Sequence, residues 1–116
     1  MLFDCKDAIG MDPMRGAMAD YYATNVDRIE LSVGEICTLE SLRQAVVPPY
    51  VMIIPFLELP VGIELVRQDN LNEDGIHGCV FALRAMAVGE GVLRVGFRDL
   101  RKGNVVFEKS IRVSVH

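Results

Sequence analysis

Gly91-Val92-Leu93-Arg94-Val95-Gly96-Phe97-Arg98 is the stretch that decides the fold. Leu93, Val95 and Phe97 alternate with Arg94, Gly96 and Arg98, a period of two that places apolar side chains on one face of a strand. Beyond it, Val105, Phe107, Ile111, Val113 and Val115 share a parity against Glu108, Ser110, Arg112 and Ser114. Lys109 breaks that inner row, which predicts a bulge or a strand end emerging into solvent. Leu93, Phe97 and Phe107 are the expected core anchors.

The same rhythm extends towards the start of the chain. Ile29, Leu31 and Val33 alternate with Arg28, Glu30 and Ser32; a turn at Gly34-Glu35 then leads into a short strand, Ile36-Cys37-Thr38-Leu39. Ile63 and Leu65 flank Glu64, and Cys79, Phe81, Leu83 and Ala85 share one face of a longer strand. Short alternating strands about every 10 to 15 residues, with Gly or Asn/Asp turns between them, predict an antiparallel sandwich or barrel.

Residues 1–27 read differently, as an arm preceding a domain at 28–116. Asp12-Pro13 is a helix start, a capping carboxylate followed by a ring that needs no amide bond. Met14, Ala17, Met18, Tyr21 and Tyr22 then fall on one helical face. This predicts a short helix packed on the domain's own core, with a Met/Tyr-faced arm docking on a second subunit as the alternative. The stretch Ala45–Leu57 holds no charge and three prolines. Proline breaks a membrane helix and removes a ladder donor from a central strand. The expectation is a buried strand interrupted at an edge or bulge. The alternative is an exposed apolar loop around Pro48-Pro49, and burial of Tyr50, Val51 and Ile53 separates the two.

A chain of 116 residues, 51% apolar and 24% charged, forms one compact domain with enough core to need no metal or disulfide. Net charge is −4 and pI is about 5.1, which argues against a nucleic-acid binder relying on phosphate attraction. No apolar run reaches the roughly 18 residues of a membrane helix. Residues 1–60 carry 9 acids and 4 bases, residues 61–116 carry 7 acids and 8 bases. Arg94, Arg98, Arg101, Lys102 and Arg112 gather in the second half, as the solvated face of two strands or as a patch for an acidic partner. No signal peptide is visible at Met1–Asp7, and Cys5, Cys37 and Cys79 have no CxxC spacing. Reduced thiols in a cytoplasmic protein are expected.

Catalytic constellations are scarce. His77 and His116 are the two histidines, and a Cys37–His77 or Cys79–His77 pair would need the fold to join them. Parity puts Cys79 beside Phe81 and Leu83 as a small core residue. Asn70-Leu71-Asn72-Glu73-Asp74-Gly75 resembles the start of a calcium loop, but Phe81 stands where a bidentate carboxylate is required. Asp69–His77 reads instead as an acidic turn loop, and Gly89-Glu90-Gly91 as a turn between strands. No catalytic residue, metal site or cofactor is assigned, and the chain is not expected to be an enzyme.

Ile29-Glu30-Leu31-Ser32-Val33-Gly34-Glu35-Ile36 resembles the first two strands of the chagasin family of cysteine-protease inhibitors. The resemblance continues through a loop with Gly75 and Gly78, through Phe81-Ala82-Leu83-Arg84-Ala85, and through Gly91–Arg98, covering residues 28–116. It implies an immunoglobulin-like antiparallel β-sandwich of about seven strands, in which three loops at one end form a wedge for a papain-like cleft. Here those loops are 41–49, 69–77 and 99–104, with Pro48, Pro49, Gly75, Gly78, Arg98 and Leu100 at the contact surface. The inhibitory motifs depart from the family. Arg43–Tyr50 lacks the family's Asn-Pro-Thr-Thr-Gly, the chain has no Trp, the second loop's glycine cluster shrinks to Gly75-Ile76-His77-Gly78, and Arg98-Asp99-Leu100 stands where the family has Arg-Pro-Trp. The functional expectation is a non-catalytic protein-binding module, with a papain-like cysteine protease as its specific partner. A structural protein forming a homo-oligomer or adaptor through the arm and segment 45–57 is the alternative.

Overall fold

The computed structural model of the chain describes residues 2–4, 19–41, 44–45, 53–73 and 76–116. Among them, ten strands run in the order β1 (Leu2–Asp4), β2 (Tyr21–Tyr22), β3 (Arg28–Leu31), β4 (Ile36–Glu40), β5 (Gln44–Ala45), β6 (Ile53–Glu58), β7 (Ile63–Glu73), β8 (Ile76–Ala85), β9 (Gly89–Asp99) and β10 (Asn104–Val115). The protein is an all-β sandwich. One sheet has the order β1-β6-β9-β10-β3; in the other, β8 is central. There β7 pairs along all of β8 on one side, so β4 and β5 must follow one another along its other side, with β2 outside β4. Neighbours are antiparallel except β2 with β4 and β3 with β10.

The alternation explains the core. From the first sheet Ile29, Leu31, Leu57, Leu93, Val95, Ile111, Val113 and Val115 meet Cys37, Leu39, Cys79, Phe81, Leu83 and Ala85 from the second. Each fully buried side chain of this size contributes about 1.5–3 kcal/mol, which makes this facing layer the main source of stability. Phe97 is also buried, at 7% exposure, but Phe107 is 50% exposed although it stands directly opposite Phe97. This corrects the placement of Phe107 in the core. The expected irregularity in β10 lies between Val105 and Phe107, two residues before Lys109, and the run Val105-Val106-Phe107 turns outward there.

Tyr21 and Tyr22, expected on a helix, instead form the strand β2 beside Leu39 and Glu40. Tertiary hydrogen bonds override the helical spacing: the Thr38 amide donates to Asp20 Oδ2 at 2.9 Å, and the Asp20 amide donates to Thr38 Oγ1 at 2.9 Å. Met14, Ala17 and Met18 lie outside the described residues. In the charge-free stretch, Pro55, Phe56 and Leu57 are consecutively buried and belong to β6, in accord with a buried strand. Tyr50 and Val51 lie outside the described residues, as does the side chain of Ile53. The Gly34-Glu35 turn forms as expected, closed by the Glu35 amide on the Ser32 carbonyl at 2.9 Å and by Glu35 Oε1 accepting from the Ser32 amide at 2.9 Å. Gly89-Glu90-Gly91 is not a turn: it opens β9, and the reversal falls at residues 86–88.

Candidate functional site: the loop end of the sandwich

Connectivity sorts the chain reversals into two ends. Three crossings between sheets, at residues 32–35, 59–62 and 86–88, share one end and are tied together by backbone bonds. Gly34 N donates to Ala85 O at 2.8 Å, Met86 N to Gly62 O at 2.7 Å and Val33 N to His116 O at 3.1 Å. The other reversals therefore gather at the opposite end: the path from β4 to β6, the β7–β8 hairpin and the β9–β10 hairpin. Of the three expected loops, this end holds Ser41 and Gln44-Ala45 of the first, the hairpin arms of the second and the whole 99–104 turn; residues 42–43, 46–49 and 74–75 lie outside the described residues.

Their boundaries differ from the expectation. Residues 69–73 and 76–77 of the expected loop are instead strand, the arms of the β7–β8 hairpin, and residues 74–75 lie outside the described residues. Pairing of Asp69 with Val80 and of Asn70 with Cys79 holds the acidic run in extended form against its weak strand propensity. Asp69 is buried, with its carboxylate 2.9 Å from Arg67 Nε. In the first loop, Gln44-Ala45 pairs with Ile76-His77 as β5. Ser41, also buried, anchors that loop's departure. Its Oγ accepts from the Cys79 amide at 2.9 Å, and its amide donates to the Cys79 carbonyl at 2.8 Å.

The β9–β10 turn is the best defined part of this end. Asp99 is nearly buried at 5% exposure. Its Oδ1 accepts from the Arg101 amide at 2.9 Å and the Lys102 amide at 3.4 Å, and its carbonyl accepts from the Gly103 amide at 2.8 Å. Gly103 sits at φ 72°, a left-handed conformation that closes the turn and suits glycine. Burial opposes ionisation of Asp99, but the two amides, helped by the charges of Arg101 and Lys102, hold its carboxyl below the ordinary value. The ionised carboxylate thus fixes the loop from inside and leaves Arg101 and Lys102 exposed at its tip.

Pro48, Pro49 and Gly75 lie outside the described residues. Arg98 is half-buried on β9 between Ile54 and Val105, and Leu100 is half-buried at the start of the turn. Gly78 is buried within β8 opposite Leu71, where it supports the hairpin but offers no surface for direct contact. Arg94 leaves the suspected basic patch: it reaches Glu58 at 3.0 Å and bonds Glu108 across the outer face of the first sheet. Sequence reasoning missed Asp99 as the organising residue; the signal was an Asp four residues before a Gly inside a hairpin reversal.

The cysteines also depart from expectation. Cys37 is free and buried, whereas Cys79 is disulfide-bonded, so the chain does not hold three reduced thiols. Among the described residues no group of His, Cys, Asp and Glu is placed to hold a metal ion, and no helix is long and apolar enough to cross a membrane.

No protein-family model and no curated protein matches the chain. Among solved structures, it is similar to the cysteine protease inhibitor EhICP2 from Entamoeba histolytica, with a TM-score of 0.65 over 83% of this chain and 92% of that one. Sequence identity in that comparison is 16%, so the likeness is one of fold: the two chains share a β-sandwich framework.

Proposed function

We propose that this chain is a non-catalytic protein-binding module whose loop end enters the cleft of a papain-like cysteine protease. The observation that carries this reading is the self-anchored Asp99–Gly103 turn, set at the same end of the sandwich as the β7–β8 hairpin arms. A solved inhibitor shares that framework. The tip Asp99–Gly103 supplies a preorganised element, because its geometry is held by the chain's own hydrogen bonds before any partner arrives. Arg101 and Lys102 give that tip a positive charge suited to an acidic cleft rim. Arg98 and Leu100 flank it, and Pro48, Pro49 and Gly75 complete the proposed contact from the neighbouring loops.

Titration of the protein against a papain-type protease tests the reading. Stoichiometric or saturable inhibition is expected, weakened in an Arg101→Glu/Lys102→Glu variant that melts like the parent. Absence of inhibition at about micromolar concentration ends the protease assignment.

A further inference from the structure

We propose that the Asn104–Ser110 edge of β10 takes up an extended segment of a partner protein as an added strand. The segment would be apolar at alternate positions and carry acidic residues at the end nearest the Arg101-Lys102 turn. This goes beyond the wedge, because the contact is made by backbone along a sheet edge and needs no protease cleft.

The register shows the vacancy. β10 pairs with β9 over its whole length, but β3 covers its other side only from Arg112 to Val115. The Arg112 amide donates to Asp27 O at 3.0 Å, so this residue directs its backbone groups towards the β3 side. Backbone direction alternates along a strand. Ser110 and Glu108 therefore point their N–H and C=O groups the same way, where no described strand pairs with them. Seven residues of open edge span about 23 Å, long enough for a full strand.

The side chains suit pairing. Val105, Val106 and Phe107 are 41%, 52% and 50% exposed, an uninterrupted β-forming run at an open edge. Val106 is skipped in the ladder with β9, and Gly96 lets the neighbouring backbone seat so closely that a Cβ there would lie 1.9 Å from Phe107 O. The other long edge, β7, is defended in the usual way: a bulge between Leu65 and Arg67, with exposed Glu64 and Arg67. From Val105 to Phe107 the β10 edge has a bulge of its own but no charged side chain.

Charge selects the occupant. Two copies pairing antiparallel about Phe107 would set Lys102 of one against Arg112 of the other, like charges that oppose each other. An acidic segment from a different protein meets the exposed Arg101 and Lys102 favourably.

A labelled peptide of alternating valine and threonine ending in two glutamates provides the probe, with the same peptide ending in two lysines as its control. The glutamate peptide is expected to bind saturably and to slow amide exchange at Glu108 and Ser110. Val106→Asn, at an exposed position outside the ladder, should weaken it about tenfold, as expected for losing one buried valine. Lys102→Glu should invert the preference between the two peptides. No saturable binding at about millimolar peptide, unchanged amide exchange at Glu108 and Ser110, or binding indifferent to Val106→Asn would overturn the proposal. So would a homodimer in light scattering that Val106→Asn dissolves, since a second copy would then own the edge. Protease inhibition is scored separately, so either reading can fail alone.

Discussion

Replacing Gly96 by alanine probes the junction on which the loop end rests. Gly96 lies on β9 between Phe56 of β6 and Glu108 of β10. An added Cβ would sit 1.9 Å from Phe107 O, 2.7 Å from Glu108 Cα and 2.8 Å from Phe107 C. Real Cβ atoms keep at least 3.0 Å from such neighbours, so β10 must withdraw by more than an ångström at its bulge. All three obstructing atoms are backbone, and no rotamer change relieves them. Overpacking of this kind costs about 1–3 kcal/mol, and a backbone obstruction belongs at the top of that range. The smaller unfolded-state entropy of alanine returns about 0.4–1 kcal/mol. A net loss of about 2 kcal/mol follows, which moves a urea midpoint down by about 1 M for a slope near 2 kcal/mol/M. Gly103→Ala is the matched control, with open space around its Cβ position but φ of 72°, and should lose about 1–2 kcal/mol through backbone strain alone. Urea unfolding followed by circular dichroism measures both. A Gly96→Ala protein within about 0.5 kcal/mol of the parent, the scale of an ordinary surface change, would refute the close seating of β10 on β9.

Phe97 and Phe107 face each other across β9 and β10 yet differ in burial, so Phe97→Ala should cost about 3–5 kcal/mol and Phe107→Ala about 1 kcal/mol; equal losses in chemical denaturation would contradict this. Burial, aided by the nearby charges of Asp20 and Glu35, pushes the Cys37 thiol from 9.0 up to about 12. Its neutral form is the one the fold favours, so its share of stability is complete below about pH 9 and drains away as pH rises towards 12. Cys37→Ala should therefore lose less between those values than the parent, and native Cys37 should resist a thiol reagent at neutral pH. Asp99 works in the opposite sense: its lowered carboxyl contributes above the ordinary value of 3.8, and that contribution disappears as pH falls through the folded value. Asp99→Asn should lower the melting temperature at neutral pH and flatten the acid limb of the stability curve; an unchanged acid limb argues against the turn's anchoring carboxylate.

What could be read from the residues followed from how many faces of a strand are buried. β3, Leu93–Val95 of β9 and Ile111–Val113 of β10 bury one face each, so Ile29, Leu31, Leu93, Val95, Ile111 and Val113 announced themselves by alternation. Pro55, Phe56 and Leu57 are buried together, which erases the period and left the charge-free stretch ambiguous. Phe107 kept the inner parity of Ile111 yet is exposed, next to the bulge at Val106 that interrupts the ladder. Local spacing also misled at Tyr21-Tyr22, where the bonds from Asp20 to Thr38 depend on residues 18 positions apart. The loop end was visible as reversals but not as a site, since only the strand order sets the β7–β8 and β9–β10 hairpins at the same end. Asp99 looked like an ordinary acidic residue until its two amide partners were in place.

Amide hydrogen exchange of this protein, alone and with an inactivated papain-type protease, tests the central claim most directly. Slowed exchange confined to the Arg101–Asn104 turn and its neighbouring loops is the predicted result. Unchanged exchange at that turn, or protection centred instead on Gly34 and Ala87 at the opposite end, would contradict it.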